Sequence, residues 1–204
     1  MAEQILESYK SRRNCAQLIQ TPAGRFVRKT FAEESSFQKE LQIYELLHSK
    51  KIACARVIEA GNKTLLLSHL PGRNLVDCLQ QQEQLGKPIW SVWEKLVQWV
   101  TAFHKETGLA MTDVNLRNFI YDETENMLYG LDFEECEACD MLISAAGVAA
   151  FIRTYKPENT ALKQEISRYV LELFAQNGEM EVESLFLETA RQEEKILARR
   201  KNKI

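Results

Sequence analysis

Three polar residues in the second half of the chain have the types and spacing for phosphoryl chemistry. Asp113 and Asn118 are separated by four residues in MTDVNLRNFI, and Asp132 follows in YGLDFEE after an interval that a strand, a turn and a strand would fill. One carboxylate can orient an attacking hydroxyl and accept its proton. An amide oxygen and a second carboxylate supply hard oxygen ligands for the magnesium that bridges nucleotide phosphates. For that chemistry all three must converge at one end of the hairpin. A D-x4-N string alone carries little weight, because Asp and Asn are ordinary turn residues. Its weight comes from the order along the chain: Lys29 in a strand-like stretch, an acid on the next helix, a hinge near residues 68–71, a long helix, D-x4-N, and then L-D-F.

The elements that must position these residues are readable from hydrophobic period. Residues 16–19 and 25–31 read as strands around Pro22 and Gly24. Residues 34–47 read as an amphipathic helix with Phe37, Leu41, Tyr44 and Leu47 at helical spacing and Ser35 and Ser36 as start signals. Residues 55–59 and 64–70 flank Gly61-Asn62 as a second hairpin, and Pro71-Gly72 ends the pattern. Helical period then dominates over roughly residues 75–84, 90–106, 140–155, 161–176 and 179–200, interrupted by a hairpin of NFIYD and MLYGLDF. The expected fold class is α+β, a small antiparallel sheet plus one helix followed by a mainly helical part.

Composition narrows the function classes. A chain of 204 residues, 45% hydrophobic and 27% charged, is neither disordered nor fibrous. Its formal charge of -3 argues against nucleic acid or an anionic membrane as the main partner. Five scattered cysteines, odd in number, and a start without an apolar leader point to a soluble cytoplasmic protein. Local charge is uneven. Lys10, Arg12, Arg13, Arg25, Arg28 and Lys29 occur without an intervening acid, whereas the stretch between Arg117 and Arg153 holds eight acids, Asp132 and Glu134 among them, and no Lys or Arg. A phosphate chain with magnesium would neutralise both regions. Cys136 and Cys139 lack a second pair for a zinc site. His48, His69 and His104 form no paired metal pattern, and Trp90, Trp93, Trp99 and Phe103 fit core packing. Arg117 reads as pairing with nearby acids or as surface, and the basic tail KILARRKNKI reads as a solvated helix end.

With these motifs the sequence resembles the protein-kinase-like fold over about residues 11–152, and more closely its aminoglycoside and choline phosphotransferase branch, where the metal motif often reads D-F-E. The resemblance implies a two-lobed fold, with residues 1–70 as the nucleotide-binding lobe and 71–204 as the catalytic and acceptor-binding lobe. It implies that Lys29 in GRFVRK contacts the α- and β-phosphates of ATP and that Glu40 pairs with it, Glu34 being the competitor. It implies further that the Ser68 carbonyl and Leu70 amide face the adenine, that Asp113 is the catalytic base, and that Asn118 and Asp132 hold Mg2+. The region matching the phosphate loop, KSRRNCAQL, has no glycine, which leaves Arg12 and Arg13 as its charge or as a solvated basic turn. Met111 and Asn115 depart from the usual residues around the base. No A-P-E string follows Asp132, so peptide substrates are disfavoured, and the expected activity is ATP- and Mg2+-dependent transfer of phosphate to a hydroxyl of a small molecule. Two other readings stay open: an atypical kinase or ATPase working with a protein partner, of the tRNA threonylcarbamoylation type, and a nucleotide-binding pseudokinase.

Overall fold

The computed structural model describes residues 3–10 and 14–201 and is mixed α+β, 51% helix and 23% strand. Arg12 and Arg13 lie outside the described residues. The chain divides into two compact units, Met1–Pro71 with Tyr129–Glu134 and Gly72–Leu128 with Glu135–Ile204. The six-residue segment that contains the L-D-F motif thus belongs to the first unit, not to residues 71–204 as expected. Its contacts explain why: the Gly130 amide donates to the Ala53 carbonyl at 3.2 Å, and Phe133 packs edge-on against Tyr44 at 5.1 Å.

In the first unit, β1 (Gln4–Lys10), β2 (Cys15–Thr21), β3 (Gly24–Thr30), β4 (Val57–Gly61) and β5 (Thr64–Ser68) form one antiparallel sheet in the order β1-β2-β3-β5-β4. Helix α1 (Glu34–Ser49) lies against β5. Sheet register decides which side chains meet that helix. Lys29 stands opposite Ala16 and Leu65, and Val27 opposite Leu18 and Leu67, so Lys29 shares the face that buries Leu18, Leu65 and Leu67. The helix covers it with Phe37, Ile43, Tyr44 and Leu47. Two details differ from the sequence pattern. The tight turn of the second hairpin is Asn62-Lys63, both at positive φ (49° and 55°), because Gly61 is already paired with Thr64. Strand β1 was not expected, and Ile5, Leu6 and Tyr9 on it are each more than two-fifths exposed, so an outer strand without a buried face leaves no alternation to read.

In the second unit, β6 (Arg73–Asn74) leads into α2 (Leu75–Leu85) and α3 (Trp90–Thr107). Then come β7 (Ala110–Met111), a 3-10 turn at Leu116–Asn118, β8 (Phe119–Asp122), β9 (Met127–Gly130), along which the chain passes into the first unit, and β10 (Cys136–Glu137). Helices α4 (Met141–Thr154), α5 (Ala161–Gly178) and α6 (Val182–Lys201) complete it. The core is α4, buried on nearly every side; its alanines let α5 and α6 approach closely. Trp93, Trp99 and Phe103 of α3 are core residues, and Trp90 packs at a tilt against Tyr169, ring centroids 4.5 Å apart. At the entry to the unit Gly72 has φ +113°, and a Cβ there would run into the Tyr121 carbonyl. Gly72→Ala is therefore expected to lose about 2 kcal/mol or more of unfolding free energy in urea; a loss too small to measure would show that β8 yields at this point.

Candidate active site

The strongest charge constellation of the first unit centres on Lys29. Its Nζ donates to Glu40 Oε2 at 2.6 Å and to Asp132 Oδ1 at 2.7 Å. Period 2 puts Lys29 on the core face of β3. The 3–4 spacing of Phe37, Glu40, Tyr44 and Leu47 puts Glu40 on the buried face of α1, where it is fully enclosed. Glu34, exposed in the first turn of α1, accepts from Gln38 instead. Asp132 is half exposed and holds φ at +59°, a conformation that costs an ordinary residue about 1–3 kcal/mol. Burial raises the Glu40 carboxyl to about 7 against the opposing pull of Lys29, with Asp132 and Glu134 adding repulsion. Lys29 is nine-tenths buried, yet the two carboxylates outweigh that burial and keep it protonated.

The same place offers oxygen ligands. Glu40, Asp132 and Glu134 bring carboxylate oxygens within 4.8 Å of one another, and Glu40 Oε1 is buried without a hydrogen-bond partner among the described residues. A hard cation such as Mg2+ fits this donor chemistry. Glu134 also accepts from Asn14 Nδ2 at 2.6 Å, which ties the segment before β2 to the L-D-F-E stretch. Ser68 pairs with Phe26 at the end of β5, and its hydroxyl accepts from the Arg56 amide at 2.9 Å; Leu70 lies two residues beyond the strand.

In the second unit the segment 112–118 is held by α4. The Met111 amide donates to Ser144 Oγ at 2.7 Å, and Val114 seats over Gly147, whose missing side chain leaves the room it occupies. Thr112 is tied through its amide to the Glu135 carbonyl, and Asn115 Oδ1 caps the 3-10 turn by accepting from the Arg117 amide. Buried Val114 and Leu116 point inward, and Asp113 between Thr112 and Val114 is left exposed. Asn118 ends the turn, half-buried. Asp113 does not face solvent alone: Arg199 Nη1 of α6 lies 2.7 Å from its Oδ1. Both side chains are about half exposed, so this pair contributes at most about 1 kcal/mol to stability.

The chain matches no family model, and no curated protein matches it. What the site can do therefore rests on its own chemistry.

Several acids singled out for charge have local employment. Asp122 is buried and accepts from the Thr124 and Glu125 amides, Asp140 caps α4 through the Leu142 amide, and Glu123 pairs with Arg73. The acidic stretch is thus partly turn and helix capping. Burial pushes the Cys54 thiol up to about 12 and the Cys78 thiol to about 11, which removes both from thiolate chemistry. His48 and His104 each bond a backbone carbonyl at 3.0 Å. Arg117 contacts Tyr155, through its hydroxyl at 3.3 Å and its ring at 5.6 Å. The partnerships Asn14–Glu134 and Arg199–Asp113 were not foreseen. A basic final turn was the one visible trace of Arg199; nothing near Asn14 signalled its partner.

Proposed function

We propose that the protein is an ATP-dependent phosphotransferase acting on a hydroxyl group of a small molecule. The observation that carries this reading is the Lys29 ammonium shared by a buried glutamate 11 residues away and a half-exposed, left-handed aspartate 103 residues away. A structural ion pair needs only one carboxylate. A cation site for phosphates needs a lysine held in place by one acid and a second acid exposed to ligand. In this reading Lys29 binds the α- and β-phosphates, Glu40 fixes its position, Asp132 and Asn118 would hold Mg2+, and Ser68 and Leu70 contact the base of the nucleotide. Bound Mg2+ would supply charge neutralisation of the phosphates. Asp113 orients the acceptor hydroxyl and takes its proton. The acceptor oxygen forms the new bond to the γ-phosphorus as the bridging β–γ bond breaks and ADP leaves.

A nucleotide-binding protein that transfers nothing is the second reading, favoured by the arginine set against Asp113. Thermal shift with ATP and Mg2+ tests the part common to both. Wild-type protein should gain several degrees, and Asp132→Ala should lose the magnesium-dependent part. Glu123→Ala should keep it, since Glu123 is engaged with Arg73. Equal losses in the two variants would mean that the acids act as a diffuse field and would defeat the site assignment.

A further inference from the structure

Arg199 is placed against Asp113 by a helix, not by a loose tail. Ile196 and Gln192 of α6 are buried, and Arg200 donates to the Thr154 carbonyl at the end of α4. Tyr155, the next residue, receives Arg117 from the segment that carries Asp113. The end of α4 thus gathers one arginine from each side, and the last turn of α6 adds Arg199 and Lys201. A pair this exposed adds little to stability, so stability does not explain why a guanidinium is set on the carboxylate that phosphoryl transfer requires.

Resting on the phosphotransferase reading, we propose that the acceptor is an anion, a hydroxylated molecule bearing a carboxylate or phosphate, and that Arg199 is the residue that recognises it. The hydroxyl must approach Asp113. A neutral or cationic acceptor gives Arg199 no other partner and leaves it where it is. An anionic acceptor offers the guanidinium a two-point partner of equal or greater strength, so Arg199 exchanges Asp113 for the acceptor and the carboxylate is left to the hydroxyl. Arg117, four residues beyond Asp113 in the same segment and held against Tyr155, adds a second positive charge to this region, which favours such acceptors over amines.

The test uses three small probes of one skeleton: glycerol, glycerate and glycerol 3-phosphate. Their binding is measured by calorimetry with Mg2+ and a non-hydrolysable ATP analogue, and their phosphorylation is measured with Mg2+ and ATP. Wild-type protein should bind one or both charged probes at least about tenfold more tightly than glycerol, and the arm that binds distinguishes a carboxylate from a phosphate. Arg199→Gln should bring the charged and neutral probes within about twofold, and Arg199→Lys should keep part of the difference. Equal or undetectable binding of all three by the wild type, or a charge preference untouched in Arg199→Gln, overturns the proposal. Transfer to glycerol as fast as to the charged probes sinks it while leaving the phosphotransferase reading intact. Charge-selective binding that depends on Arg199, with no phosphate transferred to any probe, keeps the anion site and defeats that reading instead.

Discussion

Replacing Asp113 with asparagine is expected to lower acceptor-dependent turnover by about two to four orders of magnitude and to leave the affinity for ATP within about twofold. The substitution removes the base and little else. An amide oxygen can still accept from Arg199, and the neighbours that seat the loop, Val114 over Gly147 and Met111 on Ser144, do not involve the Asp113 side chain. Chemistry and nucleotide binding should therefore separate. A protein that only holds nucleotide should show no acceptor-dependent turnover in the wild type. An ATPase working through a partner should hydrolyse without a small acceptor, speed up when the partner is added, and still depend on Asp113. Transfer at full rate in Asp113→Asn refutes the mechanism, because MTDVNLRN contains no second carboxylate to take over.

How much of this was legible from sequence follows from the range of the rules used. The Lys29–Glu40 partnership was readable because each rule acts within one element: period 2 fixes the face of Lys29, and the helical spacing of Phe37, Tyr44 and Leu47 fixes that of Glu40. The ends of α3 and α5 were readable for the same reason, since Gly108 caps α3 and Gly178 closes α5, whereas α6 starts at Val182 and not at 179, because Glu179 takes a left-handed φ of 54° at the cap of α5. Contacts between elements were not readable. Lys163 stands in the first turn of α5 and is wholly enclosed, donating to the Tyr155 and Pro157 carbonyls, but its spacing gives no hint that backbone carbonyls await it. Asp122 and Asp140 looked like candidates for binding a cation and instead satisfy amides two and three residues away, a use that any Asp before a turn or helix can have.

Lys29→Met should be the most destabilising of the substitutions at the site, by about 3–5 kcal/mol at pH 8, because it leaves the enclosed Glu40 without its cation. The loss should depend on pH, and the sign follows from Glu40. In the wild type burial raises this carboxyl from 4.5 to about 7, so between those values the folded chain holds a proton that the unfolded chain has released. This contribution is fully present below pH 4.5 and is lost as pH rises through 7. Without Lys29 the opposing pull on Glu40 disappears and its folded value climbs further, so the decline continues above pH 7. The deficit of Lys29→Met relative to wild type should then be clearly smaller at pH 5 than at pH 8 in urea unfolding. Adding Glu40→Gln replaces the buried carboxylate by a neutral group of similar shape and should recover much of the loss at pH 8. It should not recover nucleotide binding, since no cation then faces the phosphates. A deficit independent of pH, or a double variant no more stable than Lys29→Met, would show that Lys29 stabilises the sheet through its packing and not through its charge on Glu40.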